Sequence, residues 1–268
     1  MKNDEFARDL RKIEYLVADH GVPVNEAMQK VSAITGWKEN GRDYKDEYRY
    51  LLECMQDYIK ATPAPAKNTV LITGGTPKQR SRVAEMFVNL FAADWVIPAD
   101  RAFTIKAGGA FSDYVGQPCV WFDEMTTADL LRSVRGYDGF LRMFEPWPHH
   151  AVSIGDAKKA VCVNNALNLV TTAEDPHELV DAINASRVKS GESCNADEAF
   201  RRLPIWFVIA NDGSARICIN DEIIPHADGN YADYVDLYSL TAESVRSDDL
   251  LSAVVGNTAD TCFFRGAK

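Results

Sequence analysis

Two stretches carry residues whose types and order suit phosphate chemistry. Residues 70–81 read VLITGGTPKQRS: an apolar run, a Gly-Gly turn, then Arg80-Ser81 at the expected opening of a helix, RSRVAEMFVNLF. Laid from Gly74, the phosphate-loop pattern G-x-x-x-x-G-K-[ST] falls on Gly74, Gln79, Arg80 and Ser81, and only its first and last positions match. In a working loop the glycines let backbone N–H groups approach the phosphates, the lysine reaches the outer phosphates, and the Ser or Thr hydroxyl binds Mg2+. Gly74, Gly75, Thr76, Arg80 and Ser81 are therefore candidate nucleotide-binding residues, with Ser81 a candidate Mg2+ ligand. Arg80 keeps the charge of the lysine but not its shape, because a guanidinium is a wide planar fork. Gln79 puts a side chain where glycine gives room, and Pro77 removes an N–H donor. Taken alone, the stretch reads better as a plain strand–turn–helix.

The second stretch, residues 118–125, reads PCVWFDEM and delivers Asp123 and Glu124 at the end of an apolar strand. Carboxyl ends of strands are where open α/β sheets bind ligands. One carboxylate can hold Mg2+ and the other can activate an attacking water, which assigns Asp123 to metal and Glu124 to general base. The plain alternative is a strand exit capped by acids. Adjacent His149-His150 and the turn Gly108-Gly109 are weaker signals, read as loop.

These residues need a frame. The chain has 268 residues with Lys+Arg 29 against Asp+Glu 39, a net charge of -10. That balance disfavours indiscriminate nucleic-acid binding, so any DNA contact must come from a local basic cluster. None of the six cysteines forms a C-x-x-C pair, the pattern of reduced thiols in a reducing compartment. The first residues do not read as a signal peptide, and no apolar run reaches membrane-span length. The expectation is a cytoplasmic protein with no membrane contact.

Apolar periodicity predicts three helices within 1–60, the second over 24–34 and the third over 43–60. Residues 61–68, ATPAPAKN, read as a stiff linker. From 69 to 220 strand-like runs (70–73, 95–98, 102–107, 119–122, 166–172) alternate with helical ones, which predicts an α/β fold with a mainly parallel sheet. Asn211-Asp212-Gly213 between two apolar runs predicts a hairpin. Residues 221–268 are expected to form an acidic, solvated tail with some helix over 242–254; 221–250 carry eight acids and one base.

In order and spacing, residues 65–210 resemble the helicase domain of Rep-type replication initiators of circular single-stranded DNA viruses and rolling-circle plasmids. These are superfamily 3 helicases, with an AAA+-like P-loop core. Asp113, Tyr114, Gly116, Gln117, Asp123 and Glu124 in FSDYVGQPCVWFDEM stand in the family's matching places. FLRMFEPWPHHAVSIGDAKKAV is similar to the segment ending in its DNA-contacting hairpin, LNLVTTAEDPHEL to its sensor strand, and AFRRLPIWFVI to its arginine-finger motif. The chain departs from the pattern at Arg80 and at Ala173, where the sensor tip often carries asparagine. No nuclease domain is recognisable, and adjacent His149-His150 cannot share a strand face.

The resemblance implies ATP and Mg2+ as cofactors, Thr172 sensing the outer phosphate, and Arg201 or Arg202 acting across a subunit boundary. It also implies Lys158 and Lys159 touching single-stranded DNA, a homo-oligomeric ring (a hexamer) assembled through 1–60, and a possible separate nuclease subunit. The expected function is the ATPase/helicase module of such an initiator, with ATP hydrolysis weakened or lost through the altered loop. The rival is a non-catalytic, helicase-like oligomeric scaffold or regulator. A P-loop kinase is a poor third, since nothing resembles a lid or acceptor site.

Overall fold

The computed structural model describes residues 2–31, 38–39, 42–43, 45–95, 97–155, 160–188, 197–220 and 234–262. The N-terminal segment forms helices α1 (Lys2–Ala18), α2 (Val24–Val31) and α3 (Lys45–Ala61), with two-residue strands β1 (Lys38–Glu39) and β2 (Arg42–Asp43) paired antiparallel before α3. Next come β3 (Asn68–Gly74), α4 (Pro77–Phe91), β4 (Ala102–Ile105), β5 (Cys119–Phe122), α5 (Thr127–Ser133) and α6 (Tyr137–Met143). A small hairpin, β6 (Val152–Ile154) with β7 (Val161–Val163), precedes β8 (Leu167–Thr172), α7 (Pro176–Val188), α8 (Asp197–Arg202) and β9 (Ile205–Ile209). The chain closes with β10 (Ala215–Asn220), β11 (Tyr234–Leu240), α9 (Ala242–Arg246) and α10 (Asp248–Cys262).

The fold is α/β, as the alternation predicts. Seven strands form one sheet in the order β11-β10-β9-β3-β8-β5-β4. The five from β9 to β4 run parallel, and β10 and β11 add antiparallel at one edge. Strands buried on both faces read as near-continuous apolar runs; every residue of β8 is buried. Alternation of side chains splits the core in two. Val70 and Ile72 join Val83 and Phe87 of α4 and Leu251 and Val255 of α10. Leu71, Val120 and Val170 face the other way, onto α5–α8 and the N-terminal helices.

Ile13, Val17, Met28, Leu51, Met55 and Ile59 belong to that second core. The apolar stripes of α1–α3 are thus buried within the chain itself. Gln56 bonds the main chain of Cys162 in both directions, accepting from its N–H at 2.7 Å and donating to its carbonyl at 3.3 Å, which fastens α3 to β7.

Three local expectations need correction. The apolar run 95–98 contributes no strand among its described residues; Pro98 opens a short 3-10 turn, Pro98–Asp100, and Arg101 folds back to donate to the Trp95 carbonyl at 3.2 Å. Helix α4 begins at Pro77, three residues before Arg80. The acidic tail carries the helix expected over 242–254, as α9 and α10, but it is not merely solvated: it also supplies edge strand β11, and α10 buries Leu251, Val255 and Thr258. Among the described residues, no helix is long and apolar enough to cross a membrane. The described cysteines 54, 119, 162 and 218 are free thiols, the last three buried.

Candidate functional site

The early start of α4 decides the shape of the loop. Thr76 is its N-cap and Pro77 its first residue, where a missing N–H does no harm. The Thr76 hydroxyl accepts from Gln79 N at 3.3 Å, while Gln79 Oε1 accepts from Thr76 N at 2.9 Å. This is a reciprocal capping box. Thr-Pro-Lys-Gln carries that signature in the sequence, and it was the signal that locates the helix start. Residues 77–79 therefore form the first helical turn instead of arching round a phosphate, and only Gly75 and Thr76 join strand to helix.

Side chains in a helix lean toward its N-terminus, so Arg80 points back into this turn. It is 2% exposed. Nη1 donates to the carbonyls of Gly74 at 2.7 Å and Gly75 at 3.0 Å. Nε donates to Glu124 Oε1 at 2.8 Å, and Nη2 to Glu124 Oε2. The guanidinium fork thus grips a carboxylate with two parallel bonds, a pairing that lysine cannot make. Gly74 and Gly75 have φ of 74° and 55°. A Cβ on Gly74 would lie 2.0 Å from the Ile209 carbonyl oxygen, so glycine is required by the close approach of β9 as well as by the turn.

The acids sit where the sequence reading puts them, at the exit of β5. Asp123 N continues the ladder to the Ile105 carbonyl at 2.8 Å. Glu124 has φ 52°, a left-handed conformation costing about 1 kcal/mol for a side-chain-bearing residue. Thr171 holds it there: its hydroxyl accepts from Glu124 N at 2.8 Å and its carbonyl from Met125 N at 2.9 Å. The same hydroxyl lies 3.3 Å from Asp123 Oδ1, and Lys106 Nζ lies 3.6 Å from Asp123 Oδ2.

Thr172, the residue expected at the outer phosphate, is fully buried, and its hydroxyl accepts from Glu174 N at 3.1 Å. Successive strand residues face opposite ways, so Thr171, not Thr172, joins the acidic pair. Glu174 is a further residue that sequence reasoning missed. Its main-chain carbonyl accepts from the Thr73 hydroxyl and its carboxylate from Thr127 N at 3.0 Å, tying the ends of β3 and β8 to α5. Ser81 follows Arg80 on α4 and is half-buried.

Arg202 is spent within the chain. It donates to the Leu141 carbonyl at 3.0 Å and to Glu145 Oε2 at 2.6 Å, and it pairs with Glu198. Arg201, its neighbour, is exposed. Tyr114 and Gln117 are buried pins: Tyr114 donates to the Gln117 carbonyl at 3.0 Å, and Gln117 Oε1 accepts from Val115 N at 2.9 Å. Strands β6 and β7 flank Lys158 and Lys159 as an antiparallel pair; the two lysines themselves lie outside the described residues. Lys67, at the foot of β3, is 1% exposed, and burial lowers its pKa to about 7 against the opposing attraction of Glu145.

As folded, much of the loop's donor capacity is spent within the chain. The N–H groups of Thr76, Gln79 and Arg80 are already bonded, Pro77 has none, and Arg80 is committed to Glu124, which leaves exposed Lys78 as the outward-facing cation of the loop. Among the described residues, no group of three His, Cys, Asp or Glu side chains is placed to hold a metal ion. The arrangement does provide a neutralised junction where the neighbouring strands β3, β8 and β5 of the parallel sheet meet α4. In comparisons with known proteins, no family model matches the sequence, and no curated protein matches it at a significant level.

Proposed function

We propose that the chain is a Rep-type, helicase-like module of the AAA+ kind that binds single-stranded DNA as an oligomer, with ATP hydrolysis weak or lost. The observation that carries this reading is the order of the parallel strands. Numbered along the chain, β3, β4, β5, β8 and β9 lie in the sheet as fifth, first, fourth, third, second. The sensor-like strand β8 therefore stands between the loop-bearing strand and the acid-bearing strand, as the AAA+ resemblance requires. The β6–β7 hairpin around residues 156–159 adds to it.

A second reading, a non-catalytic oligomeric scaffold or regulator, is favoured by the Arg80–Glu124 fork. It consumes both the cation and the general base that hydrolysis would use. Self-association of residues 1–60 rests on the resemblance alone, since the apolar stripes of α1–α3 are satisfied within the chain.

The test combines three measurements on the full chain. Thermal shift reads Mg-ATP binding, where ligand at 100 times its Kd adds about 2.7 kcal/mol. Phosphate release reads turnover, and fluorescence anisotropy reads binding of single-stranded DNA. DNA binding by an oligomer with negligible turnover is the expected result. Robust turnover would overturn the loss of hydrolysis. A folded oligomer that binds no DNA would leave the scaffold.

A further inference from the structure

We propose that the outer face of α1 is a second contact for single-stranded nucleic acid, distinct from the β3–α4 junction and from the β6–β7 hairpin. Ile13 and Val17 turn into the core. Arg8, Arg11, Lys12 and Tyr15 recur at the helical spacing that puts them on one stripe. With Leu16 and Val31 they line an open groove of about 580 Å3 between α1 and the end of α2. Among the described residues, three cations and no carboxylate line it, in a chain whose net charge is -10.

The chemistry favours a nucleic-acid strand. Non-sequence-specific single-strand sites combine a cationic groove along the backbone with aromatic rings on which bases stack. Tyr15 is 56% exposed. Its ring meets His20 edge-on, with centroids 4.7 Å apart and planes at 76°. Leu16 and Val31 form a half-buried apolar floor against which a base edge can lie. One competing anion is Asp9, 3.7 Å from both Arg8 Nε and Lys12 Nζ. Arg8 and Lys12 are 62% and 56% exposed against 17% for Asp9; a 3.7 Å contact to so open a cation is weak, so a phosphate can compete for both cations. Arg11 is turned along the helix, its Nε donating to the Ala7 carbonyl at 3.3 Å. For the identity of the ligand, though not for the site, the inference rests on the proposed DNA-binding role.

The experiment measures anisotropy of a fluorescein-labelled oligothymidylate with the full chain over a salt series. Arg11→Ala with Lys12→Ala is expected to reduce the slope of log affinity against log salt by about 1.4, at about 0.7 per lost phosphate contact on a single strand. Tyr15→Ala is expected to weaken binding about tenfold at unchanged slope, with Tyr15→Phe restoring it. Circular dichroism checks that each variant is folded. An unchanged slope and affinity in the folded double variant overturns the inference and leaves a solvated helix face. If only Lys158→Ala with Lys159→Ala lowers the slope, the inference falls while the DNA-binding role stands. If the α1 variants lower the oligomeric mass and leave DNA affinity intact, the groove receives another copy of the chain and the inference also falls. Absence of DNA binding by the unmodified chain overturns both.

Discussion

Arg80 and Arg202 both hold carboxylates and main-chain carbonyls inside the chain, in different electrostatic settings. Arg80 meets one carboxylate, so its charge and that of Glu124 cancel; its side chain is 2% exposed. Arg202, 12% exposed, meets two, Glu145 and Glu198, which leaves one negative charge in excess between α6 and α8. The first is a neutral pair across the sheet whose arginine is sealed in, while Glu124 stays 32% exposed. The second is a partly solvated network on its flank, with buried Lys67 close enough to feel Glu145. The contrast separates a side chain that occupies a would-be ligand position from one that fastens helices. It also shows why an arginine in the right motif position need not be available for chemistry.

The contrast is tested most strongly by removing the sealed arginine. Arg80→Ala leaves Glu124 and the loop carbonyls without their cation, and is expected to destabilise the fold by about 3 kcal/mol in urea unfolding. Adding Glu124→Gln should recover part of that loss, because the stranded charge is gone. A neutral result for Arg80→Ala would break the comparison.

Lys67 sharpens it through pH. The folded lysine titrates near 7 and the unfolded one near about 10.4. Between these values the unfolded chain binds more protons, so stability rises with pH there and is flat below about 7. From pH 7 to 9 the gain is about 2 kcal/mol. Lys67→Met should be more stable at pH 7 and lose this dependence; if melting curves of the two proteins stay parallel from pH 7 to 9, Lys67 is charged when folded.

Gln79→Gly with Arg80→Lys dismantles half of the capping box and the fork together. ATP turnover is expected to rise at least tenfold, about 1.4 kcal/mol in barrier, with Glu124→Gln abolishing the gain. Mg-ATP binding without turnover in this variant would move the defect to Ala173.

The smallest effect belongs to the open network. Arg202→Ala is expected to cost about 1 kcal/mol, because Arg202 is 12% exposed against 2% for Arg80, so water more readily takes its place beside the carboxylates. A loss equal to that of Arg80→Ala would erase the distinction between sealed and open sites.

What the sequence determined by itself is what depends on neighbours along the chain. Periodicity places α1, α2 and α3, turn chemistry places the Asn211-Asp212-Gly213 hairpin between β9 and β10, and apolar runs place β3, β5 and β8 with Asp123 and Glu124 at an exit. The start of α4 was also written there, in the capping signature Thr-Pro-Lys-Gln, though the phosphate-loop spacing from Gly74 competes with it. Run 95–98 misleads because a short apolar stretch before Pro98 resembles a strand locally. Strand β11, Tyr234–Leu240, is hidden by the acid-rich stretch 221–250 around it and by the register shift on β10 at Ile217/Cys218, while the helix expected over 242–254 is present as α9 and α10.

Only the tertiary structure decided the partners. Arg80 reaches Glu124, 44 residues away, because β5 lies two places from β3 across β8. Thr171, and not Thr172, meets the acids because strand alternation gives β8 one face toward β5's exit and the other toward Glu174. The apolar stripes of α1–α3 find their cover on the sheet's own core. Such pairings depend on strand order and on which face an element buries, and those are properties of the packed sheet, with no local spacing in the chain to announce them.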